Sequence, residues 1–106
     1  MTKQQSRITL TDGNVRNHHF YLRDCRSILP SGSIGGKNND NPGQLFTVRF
    51  EPGETVETDV DGDKMIFRNR GAVRDFLEST AASAGDVVIV ERTADRVLEV
   101  RLEKIT

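Results

Sequence analysis

Residues 45–67 read LFTVRFEPGETVETDVDGDKMIF, and their pattern decides the fold class. Phe46, Val48 and Phe50 alternate with Thr47 and Arg49. That period of two is the mark of a strand with one buried face. Glu51-Pro52-Gly53-Glu54 follows as a hairpin-type turn. Residues 55–60 alternate again, Asp61-Gly62-Asp63 supplies a second turn, and residues 64–67 return as a strand.

Strand signals extend in both directions. Residues 87–92 and 97–104 read as two strands joined by Thr93-Ala94-Asp95. In the last strand Leu98, Val100 and Leu102 face inward while Glu99, Arg101 and Glu103 face water. Towards the N-terminus, residues 7–10 alternate, Thr11-Asp12-Gly13-Asn14 is a turn cluster, and residues 19–22 are β-prone. Residues 31–43 are rich in Gly, Asn and Ser and read as a loop, with a brief edge strand near Ile34. Helical spacing appears in two places. Residues 23–29 suggest a short turn stopped at Pro30, and residues 71–82 put Val73, Phe76, Leu77 and Ala81 on one face. The expectation is a single mainly β domain over residues 1–106 with two short helices. About seven short strands in such a chain predict an open β-barrel, because closure removes exposed sheet edges.

Composition narrows the class. At 106 residues, 35% hydrophobic and 29% charged, the chain suits one soluble domain with one core. Its apolar runs fall far short of the roughly 20 residues of a membrane span, and the polar start lacks a signal-peptide core, so a cytoplasmic location is expected. Cys25 is the sole cysteine, which excludes an internal disulfide and argues against a thiolate zinc site. Net charge is only −1, yet residues 1–37 hold six basic and two acidic side chains, and the remainder nine and fourteen. Such a split is compatible with one basic face.

Several motifs fail on inspection. Gly35-Gly36-Lys37 suggests a phosphate loop, but Ser31 and Asn38 stand where that motif requires Gly and Ser or Thr. Asp59, Asp61 and Asp63 suggest a calcium loop, but the sixth and twelfth positions are Lys64 and Arg70 instead of Gly and Glu. His18 and His19, adjacent in a strand, would point to opposite faces and could not easily share a metal. Cys25 and Ser27 lack a nucleophile-elbow context, and no nuclease pattern stands out. A non-catalytic domain without cofactor or metal is therefore expected.

Two polar segments remain. Residues 11–19 contain Asn14, Arg16, Asn17, His18 and His19 between Leu10 and Phe20. Asn and Arg are the side chains that pair bidentately with adenine and guanine edges. Residues 59–70 contain Asp61, Asp63, Lys64, Arg68, Asn69 and Arg70 near a turn. These include planar donors suited to guanine and phosphate, and carboxylates able to accept from cytosine. Both could instead be ordinary solvated loops.

The residues Asp12-Gly13-Asn14-Val15-Arg16-Asn17-His18-His19-Phe20-Tyr21-Leu22-Arg23 resemble the opening of the recognition domains of certain bacterial restriction endonucleases, of the EcoRII effector and BfiI specificity type. Ile34-Gly35-Gly36, Glu57-Thr58-Asp59, Gly62-Asp63-Lys64, Phe67-Arg68-Asn69-Arg70-Gly71 and Ala84-Gly85-Asp86-Val87-Val88-Ile89 fit the same pattern in order. These domains are similar to the B-three domains of plant transcription factors. The resemblance implies a seven-stranded DNA-binding pseudobarrel whose two arms grip the major groove of double-stranded DNA. The arms would be residues 11–19 and about 59–70. Asn14, Arg16, Asn17 and a histidine would read bases from one, and Asp61, Asp63 and Lys64 from the other. Arg23, Lys37, Arg68 and Arg70 would hold phosphates and set register. Any cleavage would belong to a fused or associated nuclease domain. The competing expectations are a module that binds a protein or small ligand on the same face, and a self-sufficient hydrolase.

Overall fold

The computed structural model describes residues 4–36 and 42–105. Lys37 lies outside them, so its expected phosphate role has no structural counterpart here. The order of elements is β1 (Gln4–Thr9), α1 (Asp12–Asn17), a 3-10 helix (Arg23–Ile28), β2 (Ile34–Gly35), β3 (Phe46–Glu51), β4 (Thr55–Thr58), β5 (Val60–Asp61), β6 (Ile66–Phe67), α2 (Arg70–Ser79), β7 (Val87–Ala94) and β8 (Val97–Glu103).

The mainly β expectation holds, but the architecture differs in number and closure. The described residues form eight strands and three short helices. The strands make a five-stranded sheet ordered β1-β7-β8-β3-β4 and a three-stranded sheet ordered β2-β5-β6, neither closed into a barrel. Both are mixed, since β3 runs parallel to β8 and β2 parallel to β5.

The two sheets separate at Asp59. Thr58, Asp59 and Val60 are all buried in succession, which breaks the period of two that made residues 55–60 look like one strand. Arg68 donates its Nε–H to Asp59 Oδ1 at 2.8 Å, and the Gly43 N–H reaches Oδ2 at 2.6 Å. The Arg68 backbone N–H also bonds the Asp59 carbonyl at 3.0 Å. The bend is thus built around one satisfied buried carboxylate.

All five phenylalanines meet at the junction. Phe67 of β6 lies 6.0, 6.1 and 6.2 Å from Phe20, Phe46 and Phe50, and Phe50 lies 5.4 Å from Phe76 of α2. Leu10, Leu22, Val48, Val60, Val88 and Val100 complete the core around them. Aromatic pairs at such distances contribute about 0.5–1.5 kcal/mol each beyond the area they bury. The small sheet is therefore held to the large one through Phe67.

Three local expectations change. Residues 11–14 begin α1 instead of a turn. Thr11 Oγ1 accepts from Asn14 N–H at 3.1 Å, and Asn14 Oδ1 accepts from Thr11 N–H at 3.0 Å, a reciprocal capping box that offsets the poor helix propensity of Gly13. Residues 19–22 keep the alternation, with Phe20 and Leu22 buried, but join no ladder; Leu22 N–H instead bonds the Met65 carbonyl at 2.6 Å. Helix α2 ends at Ser79, before Ala81. Ala81 has φ 50, and Ala81 and Ala82 donate to the Glu78 and Leu77 carbonyls, a left-handed ending usually made by glycine.

Candidate nucleic-acid interface

The structure brings the two polar segments together. Helix α1 ends with His18 at φ 56, and the His18 and His19 N–H groups bond the Val15 and Asn14 carbonyls. This left-handed residue replaces the expected strand at the two histidines. Both histidines border a small cleft with Phe67, Arg70 and Val73; His18 also approaches Glu78, and His19 packs against Tyr21. A neighbouring open depression is lined by Asn17, His18, Arg70, Gly71 and Arg74. Arg70, the first residue of α2, is common to both.

The second segment arrives through the β5–β6 turn. Asp61 Oδ1 accepts from Asp63 N–H at 3.0 Å and Lys64 N–H at 3.4 Å, and Met65 closes the turn at φ 57. Gly62 is required by close approach, because a Cβ there would lie 2.3 Å from the Gly35 carbonyl oxygen. Asp63 and Lys64 are left exposed at the tip.

Electrostatics reports the same juxtaposition. Partial burial, then the Arg70 and Lys64 charges, hold the His19 imidazole below its usual pKa. Among the described residues Arg16, Lys64 and Arg70 have no carboxylate partner, whereas His18 faces the exposed Glu78 at 4.0 Å. Asp63 lies exposed beside Lys64 on the same turn, so Arg70 is the cation of the cleft itself that is left to attract an anion.

Other predicted site residues have structural roles. Asn14 is only 6% exposed and its side-chain oxygen is engaged in the α1 cap, so it does not face a ligand as a base-reading arm residue would. Arg68 is held by Asp59 and donates to the Gly36 carbonyl at 2.8 Å, which removes it from the expected phosphate set. Asn69 caps α2 by accepting from Ala72 N–H at 3.0 Å. Asp61 orders its own turn, leaving Asp63 as the exposed carboxylate of that pair. Arg16, Asn17, His18, His19, Arg23, Asp63, Lys64 and Arg70 keep side chains at least partly accessible.

Two surface residues were absent from the expected set. Arg74 follows Arg70 by one helical turn and lines the same depression, with the exposed Asp75 carboxylate 3.8 Å away. Tyr21 contacts His19 and Arg23, with ring centroids 5.0 Å apart in the first case and the Arg23 Cζ 4.6 Å from the ring centre in the second.

A separate groove beside Pro52 contains Arg49 and Arg101. Arg49 lies 3.9 Å from Glu51 and Arg101 3.0 Å from Glu91, so acidic neighbours already balance these cations. Among the described residues no three His, Cys, Asp or Glu side chains gather as a metal site. No described helix is long and apolar enough to cross a membrane. The chain matches no protein-family model, and no curated protein matches it.

Proposed function

We propose that this domain binds double-stranded DNA sequence-specifically, with the C-terminal end of α1 and the β5–β6 turn entering the major groove. The observation that carries the reading is the meeting of the two polar segments at Arg70. Asn17, His18 and His19 of the first segment lie beside Arg70 of the second, and the Lys64 charge also acts on His19. Arg16 and Asn17 read base edges from one segment, and Asp63 and Lys64 from the other. Arg23, Arg70 and Arg74 hold phosphates and set register. The likeness to restriction-endonuclease recognition domains rests on the ordered residue matches and the two arms, and not on strand count. In that setting a separate nuclease domain performs cleavage.

Replacing Arg16 with alanine is expected to reduce preference for one base pair, at about 1–3 kcal/mol for the preferred site. Arg23→Ala should weaken all sequences alike. Selection of duplexes from a random pool, followed by titration of the preferred site and single-base variants, separates these effects. Uniform weakening by both substitutions would remove Arg16 from base readout.

A further inference from the structure

We propose that Tyr21 is a positioning residue that holds Arg23 ready for a DNA phosphate and extends the binding face along one strand. The proposal rests on the DNA reading and adds to it a residue outside both arms.

Tyr21 is 37% exposed, although its chain neighbours Phe20 and Leu22 are 1% and 0% exposed. Those two anchors, with the Leu22 N–H to Met65 carbonyl bond, fix the backbone and direct Tyr21 outward. His19, Tyr21 and Arg23 form a continuous row through the two ring contacts. His19 in turn feels the charges of Arg70 and Lys64. The row therefore continues the cationic surface beyond the α1–α2 cleft.

Arg23 has no carboxylate partner among the described residues and opens the 3-10 helix. A guanidinium whose Cζ sits 4.6 Å over one aromatic ring still has N–H groups directed away from that ring for phosphate oxygens. The ring contact also limits the rotamers of a long side chain before binding, so less freedom is lost when a phosphate arrives.

Anisotropy titrations of a labelled duplex across a salt series test the proposal with Tyr21→Leu, Tyr21→Phe, Arg23→Ala and the Tyr21→Leu/Arg23→Ala double variant. Tyr21→Leu should weaken binding about two- to fivefold, the scale of an exposed cation–π contact. It should flatten the log–log salt slope by up to about 0.9, the contribution of one phosphate contact. Tyr21→Phe should behave like the parent, and Tyr21→Leu should have little effect once Arg23 is alanine. Without DNA, the ring-current shift of the Arg23 side-chain protons should persist in Tyr21→Phe and vanish in Tyr21→Leu. Parent-like binding by Tyr21→Leu, an equal loss in both Arg23 backgrounds, or no ring-current shift in the parent would overturn the positioning role while leaving DNA binding intact. Failure of the parent to bind duplex at low salt would instead overturn the DNA reading and this role with it.

Discussion

Asp59→Ala is expected to lower the unfolding free energy by about 3 kcal/mol, at the lower end of the effect of removing one partner from a buried ion pair. Asp59 is 2% exposed, and its two carboxylate oxygens receive the Arg68 guanidinium and the Gly43 N–H. The substitution leaves both donors without that acceptor. Partial access of Arg68 to water keeps the loss below the upper end of the range, since the side chain is 18% exposed. Against a typical total of about 5–15 kcal/mol, such a loss is large. Urea unfolding measures it, and a change under about 1 kcal/mol would contradict the role assigned to the pair. Adding Arg68→Met should recover part of the loss, because the buried charge is then gone.

Acid dependence should have the corresponding sign. Burial opposes ionisation of Asp59, but the Arg68 and Gly43 hydrogen bonds and the Arg68 charge outweigh it and hold the carboxyl below the usual carboxylate range. A folded-state pKa below the unfolded value near about 3.9 contributes stability above that value. This contribution disappears as pH falls through the folded pKa, so Asp59→Ala should flatten the acid limb of the stability curve. Asp86, held low chiefly by Lys104 and then by the Ser83 N–H, keeps the same sign in the variant.

Arg70→Glu is expected to weaken duplex binding by at least about tenfold, while leaving the fold intact. Removing a base or phosphate contact has an effect of about 1–3 kcal/mol, and reversing the charge adds repulsion from the backbone. Stability should hold or rise slightly, because an acidic side chain at a helix N-terminus contributes about 0.3–1 kcal/mol. The His19 pKa should rise as well, since Arg70 is the larger of the two charges depressing it, although burial remains the leading cause. Parallel measurements of Kd, Tm and the His19 NMR titration distinguish loss of a binding group from loss of structure. Unchanged Kd would remove Arg70 from the interface.

Much of this organisation was visible in the residues themselves. Period-two alternation marks β3 and β8, the apolar run of residues 87–90 marks β7, and helical spacing marks the buried Val73, Phe76 and Leu77 of α2. The mixed five-stranded order was not visible, because pairing of β3 with β8 depends on contacts between distant segments. Helix α1 was hidden by Asp12, Gly13 and Asn14, which favour turns in isolation. The usable signal was Thr11 followed three residues later by Asn14, with asparagine standing in for the usual Glu or Gln of a capping box. The end of α2 was overrun because Ala81, not glycine, takes the left-handed position.

Site residues divided by whether a local or a distant partner claims them. Arg16 and Lys64 are legible as polar donors and lie exposed on the surface. Arg68 looks identical in sequence to a phosphate ligand, and only the bend that buries Asp59 reveals its structural partner. Tyr21 was legible in principle, because it alternates with Phe20 and Leu22 in the β-prone residues 19–22 and so shares the outward face with His19; its contact with Arg23 was not, because the 3-10 helix begins there.

Backbone amide shifts recorded during titration with a duplex chosen by selection test the central claim most directly. If the two segments form one DNA-binding face, amides of Arg16, Asn17, His18 and His19 should shift together with those of Lys64, Gly71 and Arg74, all fitting one dissociation constant. Shifts confined to a single segment, or centred on the Arg49 and Arg101 groove, would contradict it.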